Sequence, residues 1–124
     1  MQELTHCIGG QHVKGTSGRT AEVFNPATGE AEKLVPLASA AELDAAVANA
    51  KEAQPAWAAV IPQRRARVLM KFVELLHRDM DKLAEALSRE HGKTLPDAKG
   101  DIIRGLEVAE FCFGAPHLLK GEYT

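Results

Sequence analysis

The sequence predicts a mainly α-helical chain with a small antiparallel strand meander at its N-terminus. Three observations predict it. The composition changes once: residues 1–38 are rich in Gly, Thr, Val and turn residues, and residues 39–124 in Ala, Leu, Glu, Lys and Arg. Turn signals punctuate the first part at Gly9-Gly10-Gln11 and Asn25-Pro26-Ala27-Thr28-Gly29. In the second part apolar residues recur at three- and four-residue steps, the period of a helix with one buried face.

The strands come first. Cys7-Ile8 and His12-Val13 flank the Gly9-Gly10 pair, which suits the positive φ angles of a tight hairpin turn. Thr20-Ala21-Glu22-Val23-Phe24 alternates apolar and polar residues, as a half-buried strand does. In Asn25-Pro26-Ala27-Thr28-Gly29 the proline presets φ and the glycine accepts a left-handed position. The chain then returns from Ala31 to Leu37 as a third strand, stopped near Pro36. Three short strands alone are barely stable and need a surface to pack on.

The helices follow. Ser39 with Glu42 three residues later is a capping box, each side chain able to bond the other residue's backbone amide. A helix is expected from about Ala40 to Gln54, ended near Pro55, with Leu43, Ala46, Val47 and Ala50 as its apolar stripe. Pro62 suits the first turn of the next helix, where Ala66, Leu69, Met70, Val73 and Leu76 form a stripe. Asp79 is expected to cap a third helix carrying Met80, Leu83, Ala84 and Leu87, closed by Gly92. Pro96 opens a fourth, with Ile102, Ile103, Leu106, Ala109 and Phe113 buried and Gly114-Ala115-Pro116 as its end.

Composition excludes several classes. With 45% hydrophobic and 26% charged residues the chain is globular rather than disordered. A net charge of −2 suggests neither nucleic acid nor an anionic membrane as partner. Met1-Gln2-Glu3-Leu4-Thr5-His6 has no positive run leading into an apolar stretch, so no signal peptide is expected. Two distant cysteines, Cys7 and Cys112, fit a reduced, cytoplasmic setting better than a disulfide framework.

Most candidate chemistry has a plainer reading. Gly10-Gln11-His12-Val13-Lys14-Gly15-Thr16 places Lys before the second Gly, whereas a phosphate loop needs it after, so a hairpin loop is expected. His6, Cys7 and His12 lack the second ligand pair of a structural zinc site, and no metal is expected. Cys112 lies in an apolar helical stretch and reads as a packed core thiol; Cys7 lacks an activating base, so neither is taken as a nucleophile. Arg64-Arg65-Ala66-Arg67 reads as a solvated face over a core stripe rather than a membrane-binding one. Glu90, Asp97, Asp101, Glu107 and Glu110 offer carboxylates without an isolated catalytic pair.

Arg104 stands apart. Gly100 precedes it by four residues and Gly105 follows it. Each glycine costs a helix interior about 1 kcal/mol relative to alanine, so two suggest close approach of another backbone or a ligand. An arginine beside such a gap can present parallel donors to a carboxylate. An ion pair with Asp101 or Glu107 at helical spacing is the alternative.

The order of motifs carries a resemblance. Phe24-Asn25-Pro26-Ala27-Thr28-Gly29-Glu30, the Ser39 helix reaching Trp57, the Arg64–Leu76 stretch and Glu90-His91-Gly92-Lys93 resemble the N-terminal region of aldehyde dehydrogenases. The segment 92–111, with Ala115-Pro116-His117-Leu118-Leu119-Lys120-Gly121-Glu122, is similar to the CoA-acylating methylmalonate-semialdehyde dehydrogenase branch. The resemblance implies an α/β fold of several hundred residues. Residues 1–38 would be an N-terminal β arm, and residues 39–124 the helical N-terminal part of an incomplete NAD-binding domain.

It also implies covalent catalysis, in which a cysteine thiolate adds to the aldehyde, hydride passes to NAD, and CoA releases the acyl group after loss of CO2. The nucleophilic cysteine, the oxyanion asparagine and the nicotinamide-side glycines would all lie beyond residue 124. No catalytic residue, cofactor-binding residue or metal ligand is therefore assigned, and the fragment alone is expected to be inactive. Arg104 matches the family arginine associated with the substrate carboxylate. The implied cofactors are NAD and CoA, and the implied partners are the rest of the dehydrogenase chain and further copies in a homo-oligomer. Another semialdehyde dehydrogenase of the family, or a non-catalytic helical module that binds a protein partner, remain alternatives.

Overall fold

The computed structural model describes residues 1–122; the last two residues of the expected helical span 39–124 lie outside it. The elements are β1 (Gln2–Glu3), β2 (His6–Ile8), β3 (Gln11–Val13), β4 (Thr20–Phe24), β5 (Ala31–Pro36), α1 (Ala40–Ala58), α2 (Pro62–Arg78), α3 (Met80–His91), α4 (Leu95–Phe113) and α5 (Ala115–Leu118). A mainly helical chain behind short strands is therefore what the sequence forms. Two compact units divide it, Met1–Ala59 and Val60–Thr124. The break falls after α1 rather than at the compositional change near residue 38.

In the first unit, β2 and β3 form a hairpin with Cys7 opposite His12. Its turn residues Gly9 and Gly10 have φ of 59° and 76°, the two positive angles that a type I′ turn requires. A separate sheet has the order β1-β5-β4. There β4 and β5 are antiparallel, with Ala21 opposite Val35, and the turn between them is held by Asn25, whose Oδ1 accepts from the Ala27 amide at 2.9 Å. Ala21 and Val23 are half-buried while their strand neighbours are exposed.

The strands do not make one antiparallel meander. β1 adds to β5 in parallel, with Gln2 opposite Lys33, and β2–β3 stands as its own sheet. A two-residue strand shows no alternation in sequence, so β1 left no periodic signal.

The capping box of α1 is formed. Ser39 Oγ accepts from the Glu42 amide at 3.2 Å, and Glu42 Oε2 accepts from the Ser39 amide at 2.8 Å. Glu42 Oε1 also accepts from the Thr16 amide at 2.6 Å. One carboxylate thus fastens the helix start to the loop after β3, which is why α1 belongs with the strands. Two expectations for α1 need correction. The helix runs through Pro55 to Ala58, because a proline disturbs only the turn before it and the Ala59 amide still reaches the Pro55 carbonyl at 3.0 Å. Its stripe is uncovered: Leu43 and Val47 are 60% and 57% exposed.

In the second unit α4 packs against both α2 and α3. Ala66, Val73, Ala84, Ala98 and Leu106 are its buried hydrophobic side chains, and the alanines let the helices approach closely. α3 ends at Gly92, with φ 83°, as the sequence predicts. Asp79 holds the position before α3 but does not cap it; its carboxylate instead accepts from Arg78 Nε and Nη2 at 3.1 and 2.6 Å. Thr94 caps α4 by accepting from the Asp97 amide at 3.4 Å. Gly114 keeps right-handed angles, so the chain passes from α4 straight into the short α5.

The stripe of α4 also differs from expectation. Leu106 is buried, but Ile103 is exposed, and so is Cys112, read above as a core thiol. Cys112 lies six residues beyond Leu106, about 120° round the helix from it, near the C-terminal end of α4. Its neighbour Phe111 is 69% exposed. The apolar character of this stretch does not make it a core position, because no described residue covers it.

Two outcomes follow. The hydrogen bonds from the Ser39 amide, first, and the Thr16 amide pull the Glu42 carboxyl from 4.5 to about 2. A depressed carboxyl stabilises the fold fully above its unfolded value and loses that contribution as pH falls through its folded one. The gap in urea midpoint between the wild-type chain and Glu42→Ala should therefore be widest at neutral pH and close between about 4.5 and about 2. A gap constant across that window would contradict the assignment. Separately, both thiols of the folded chain should react with a small maleimide without denaturant. Cys112 labelling only after unfolding would contradict its exposure.

Candidate functional site

Arg104 sits on α4, opposite its packed side. Long helical side chains lean back toward the N-terminus, over the residues three and four positions earlier. For Arg104 these are Asp101 and Gly100. Its Nη2 donates to Asp101 Oδ1, and the two form an ion pair at helical spacing. The Arg104 side chain is nonetheless 71% exposed.

Gly100 contributes by lacking a side chain. A methyl group there would stand 3.9 Å from Arg104 Nη1, an ordinary van der Waals contact. At Gly105 a methyl group would meet nothing within 4 Å. The close approach expected at these two glycines is thus not made by any described residue.

Asp101 has a second partner. Its Oδ2 accepts from Lys93 Nζ, on the link between α3 and α4. The Lys93 carbonyl in turn accepts from Ser88 Oγ at 2.6 Å, which fixes that link to the last turn of α3. Lys93 is well covered, at 21% exposure, and Asp101 is at 30%. The Lys93 hydrogen bond, foremost, and that of Arg104 hold the Asp101 carboxyl below the usual carboxylate range, against the opposing effect of partial burial. Sequence reasoning missed Lys93 as a partner, since a separation of eight residues across a helix start carries no periodic signal.

The other candidates do not converge on this place. Asp97 lies in the first turn of α4, and Glu110 stands 3.7 Å from His77 Nε2. Arg64 and Arg67 are exposed around buried Ala66, a solvated face over a core position, while half-buried Arg65 has an Nε without a hydrogen-bond partner among the described residues. No described helix is long and apolar enough to cross a membrane. His12 Nδ1 lies 3.1 Å from Thr5 Oγ1, and no group of three His, Cys, Asp or Glu among the described residues could hold a metal.

A dinucleotide does not fit what is present. Phosphate cradles place glycines between a strand and the helix that follows. The passage from β5 to α1 is Leu37-Ala38-Ser39, without glycine, and there the Ser39 amide already donates to the Glu42 carboxylate and the Glu42 amide to Ser39 Oγ. Two hollows among the described residues lie away from Arg104. The hollow of about 290 Å³ between α2 and α5 is lined by Gln63, Ala66, Arg67, Met70, Phe113, Pro116 and His117. One of about 330 Å³ between α3 and α4 is lined by Asp81, Glu85, Leu95, Pro96 and Lys99. Arg104 belongs to neither.

Comparison with known proteins places the chain in a family. Residues 12–124 match the aldehyde dehydrogenase family. Malonate-semialdehyde dehydrogenase of Pseudomonas aeruginosa is 46% identical over 124 residues, which is 100% of this chain and 25% of that enzyme. Acylating methylmalonate-semialdehyde dehydrogenase of Arabidopsis thaliana, a mitochondrial protein, is 47% identical over 97% of this chain and 20% of its own length. The structure of a methylmalonate-semialdehyde dehydrogenase from Sinorhizobium meliloti, complexed with NAD, superposes with a TM-score of 0.95 at 65% identity, covering 100% of this chain and 25% of that one. The chain therefore spans about a quarter of the length of the relatives it matches. Its fold is the α/β aldehyde dehydrogenase one expected, represented by a mainly helical segment behind short strands. On the family match and these identities, the chain belongs to the aldehyde dehydrogenase family.

Proposed function

We propose that the chain is the N-terminal part of a CoA-acylating semialdehyde dehydrogenase, in which Arg104 receives the carboxylate of malonate or methylmalonate semialdehyde. The observation that carries this reading is the exposed guanidinium of Arg104 on the unpacked side of α4, in a chain resembling semialdehyde dehydrogenases along its full length. Malonate and methylmalonate semialdehydes both keep a free carboxylate at the end away from the aldehyde. A planar guanidinium can meet it with two parallel hydrogen bonds, which an ammonium group cannot.

NAD and CoA would be the hydride acceptor and acyl acceptor of the complete enzyme, with acetyl-CoA or propionyl-CoA as product. Their binding residues, the nucleophilic thiol and the oxyanion donors would come from sequence outside these 124 residues. Within the described part, Arg104 binds and orients; it forms and breaks no covalent bond. Holding the carboxylate fixes the aldehyde end relative to the attacking group, which is how positioning lowers a barrier. In this reading residues 1–38 serve as a β arm and residues 39–124 buttress the NAD-binding domain, in a cytoplasmic homo-oligomer.

The rival reading is a helical module that binds a separate protein through its exposed apolar faces. The match of the whole chain to a quarter of the length of longer dehydrogenases favours the remainder of such an enzyme as the cover for those faces.

In the complete enzyme, Arg104→Lys should keep the charge and lose the paired geometry. Hydrogen bonds to charged groups contribute about 1.5–3 kcal/mol. The expected result is a kcat/KM for malonate semialdehyde that falls about tenfold or more relative to that for propanal, about 1.4 kcal/mol of discrimination. Equal losses on both aldehydes would refute the carboxylate role.

A further inference from the structure

We propose that Asp101 and Lys93 form the positioning device for Arg104, so that substrate-carboxylate recognition depends on an ion chain beginning at the α3–α4 link. The proposal deepens the reading of Arg104 given above and rests on it. Four observations carry it.

The first is the division of labour on Asp101. One carboxylate oxygen takes Lys93 Nζ and the other takes Arg104 Nη2. The second is a gradient of coverage along the chain of charges, from Lys93 at 21% exposure through Asp101 at 30% to Arg104 at 71%. The covered end can serve as an anchor and the uncovered end as the working group. The third is the Ser88 hydroxyl on the Lys93 carbonyl, which ties the anchor's backbone to α3. The fourth is Gly100, beneath the returning side chain, where an alanine methyl would touch Nη1 at 3.9 Å.

The geometry has a chemical consequence. An unanchored arginine samples many rotamers, and ordering such a long side chain on binding costs about 0.5–1.5 kcal/mol. Asp101 engages Nη2 and holds the guanidinium back along the helix before substrate arrives. A guanidinium carries five N–H donors, so one bond to Asp101 leaves donors for an incoming carboxylate. Lys93 offsets the negative charge of Asp101, which limits repulsion between Asp101 and the substrate. Asp101 touches neither substrate nor cofactor in this scheme; it acts through Arg104.

The test is steady-state kinetics on the complete dehydrogenase with malonate semialdehyde and with propanal. Asp101→Asn should raise KM for malonate semialdehyde about two- to thirteenfold relative to KM for propanal, an amount equal to the ordering cost above, with the two kcat values keeping their ratio. Asp101→Glu, which keeps the charge, should restore most of the difference. Asp101→Asn strands the Lys93 ammonium and can fail to fold. The double variant Lys93→Met/Asp101→Asn removes that unpaired charge and should show the same selective rise. A KM that rises equally for both aldehydes, or for neither, while Arg104→Lys still discriminates between them, overturns the proposal and leaves the role of Arg104 standing. If Arg104→Lys itself fails to discriminate, the carboxylate reading falls, and the positioning role with it.

Discussion

Apolar surface without cover is the constraint on which the rest of this molecule depends. The buried hydrophobic side chains among the described residues are three alanines, one valine and one leucine. Outside them, Trp57, Phe72, Val108, Phe111 and Leu118 are exposed by 47% to 69%. Fully burying a side chain of that size contributes about 1.5–3 kcal/mol. The chain therefore leaves unused much of the stabilisation that its own composition offers. Local polar devices do correspondingly more: the Ser39–Glu42 box, the Thr94 cap and the Lys93–Asp101–Arg104 ion chain each fix a helix end or a link.

α4 shows how this constraint bears on function. One side of it packs within the second unit through Ala98 and Leu106. The opposite side carries Val108 and Phe111, both largely exposed, around Arg104. A helix that is apolar on opposite sides is built to lie inside a larger body. In the proposed enzyme, covering that side would remove water from around a guanidinium, and a charge so placed needs a carboxylate partner. Asp101 supplies one within the chain. A semialdehyde carboxylate would supply the second, in surroundings where such a bond is stronger than in water.

Much of the fold was legible in the sequence because it rests on local rules. Gly9-Gly10, Asn25–Gly29, Ser39–Glu42 and Gly92 each act through conformations set within a few residues, and each appears where its chemistry places it. The misses share a different cause. β1 is too short to show a period, and Pro55 disturbs only the turn before it. Cys112, Leu43 and Val47 were misjudged because periodicity reports which faces are apolar and not whether anything covers them. Of the candidate site, the sequence singles out Arg104 through the glycines around it and the family resemblance, and its role is the proposal made above. Its Asp101 partner followed from helical spacing, whereas the Lys93 anchor depends on how the α3–α4 link folds back.

The most direct test of this constraint is amide hydrogen exchange, followed in parallel on the isolated chain and on the complete dehydrogenase that would contain it. The expected result is much slower exchange in the complete enzyme along α1 and along α4 around Val108 and Phe111, where apolar surface is now open. Exchange at the same rate in both would show that those faces stay uncovered, and would contradict the view of this chain as one part of a larger folded body.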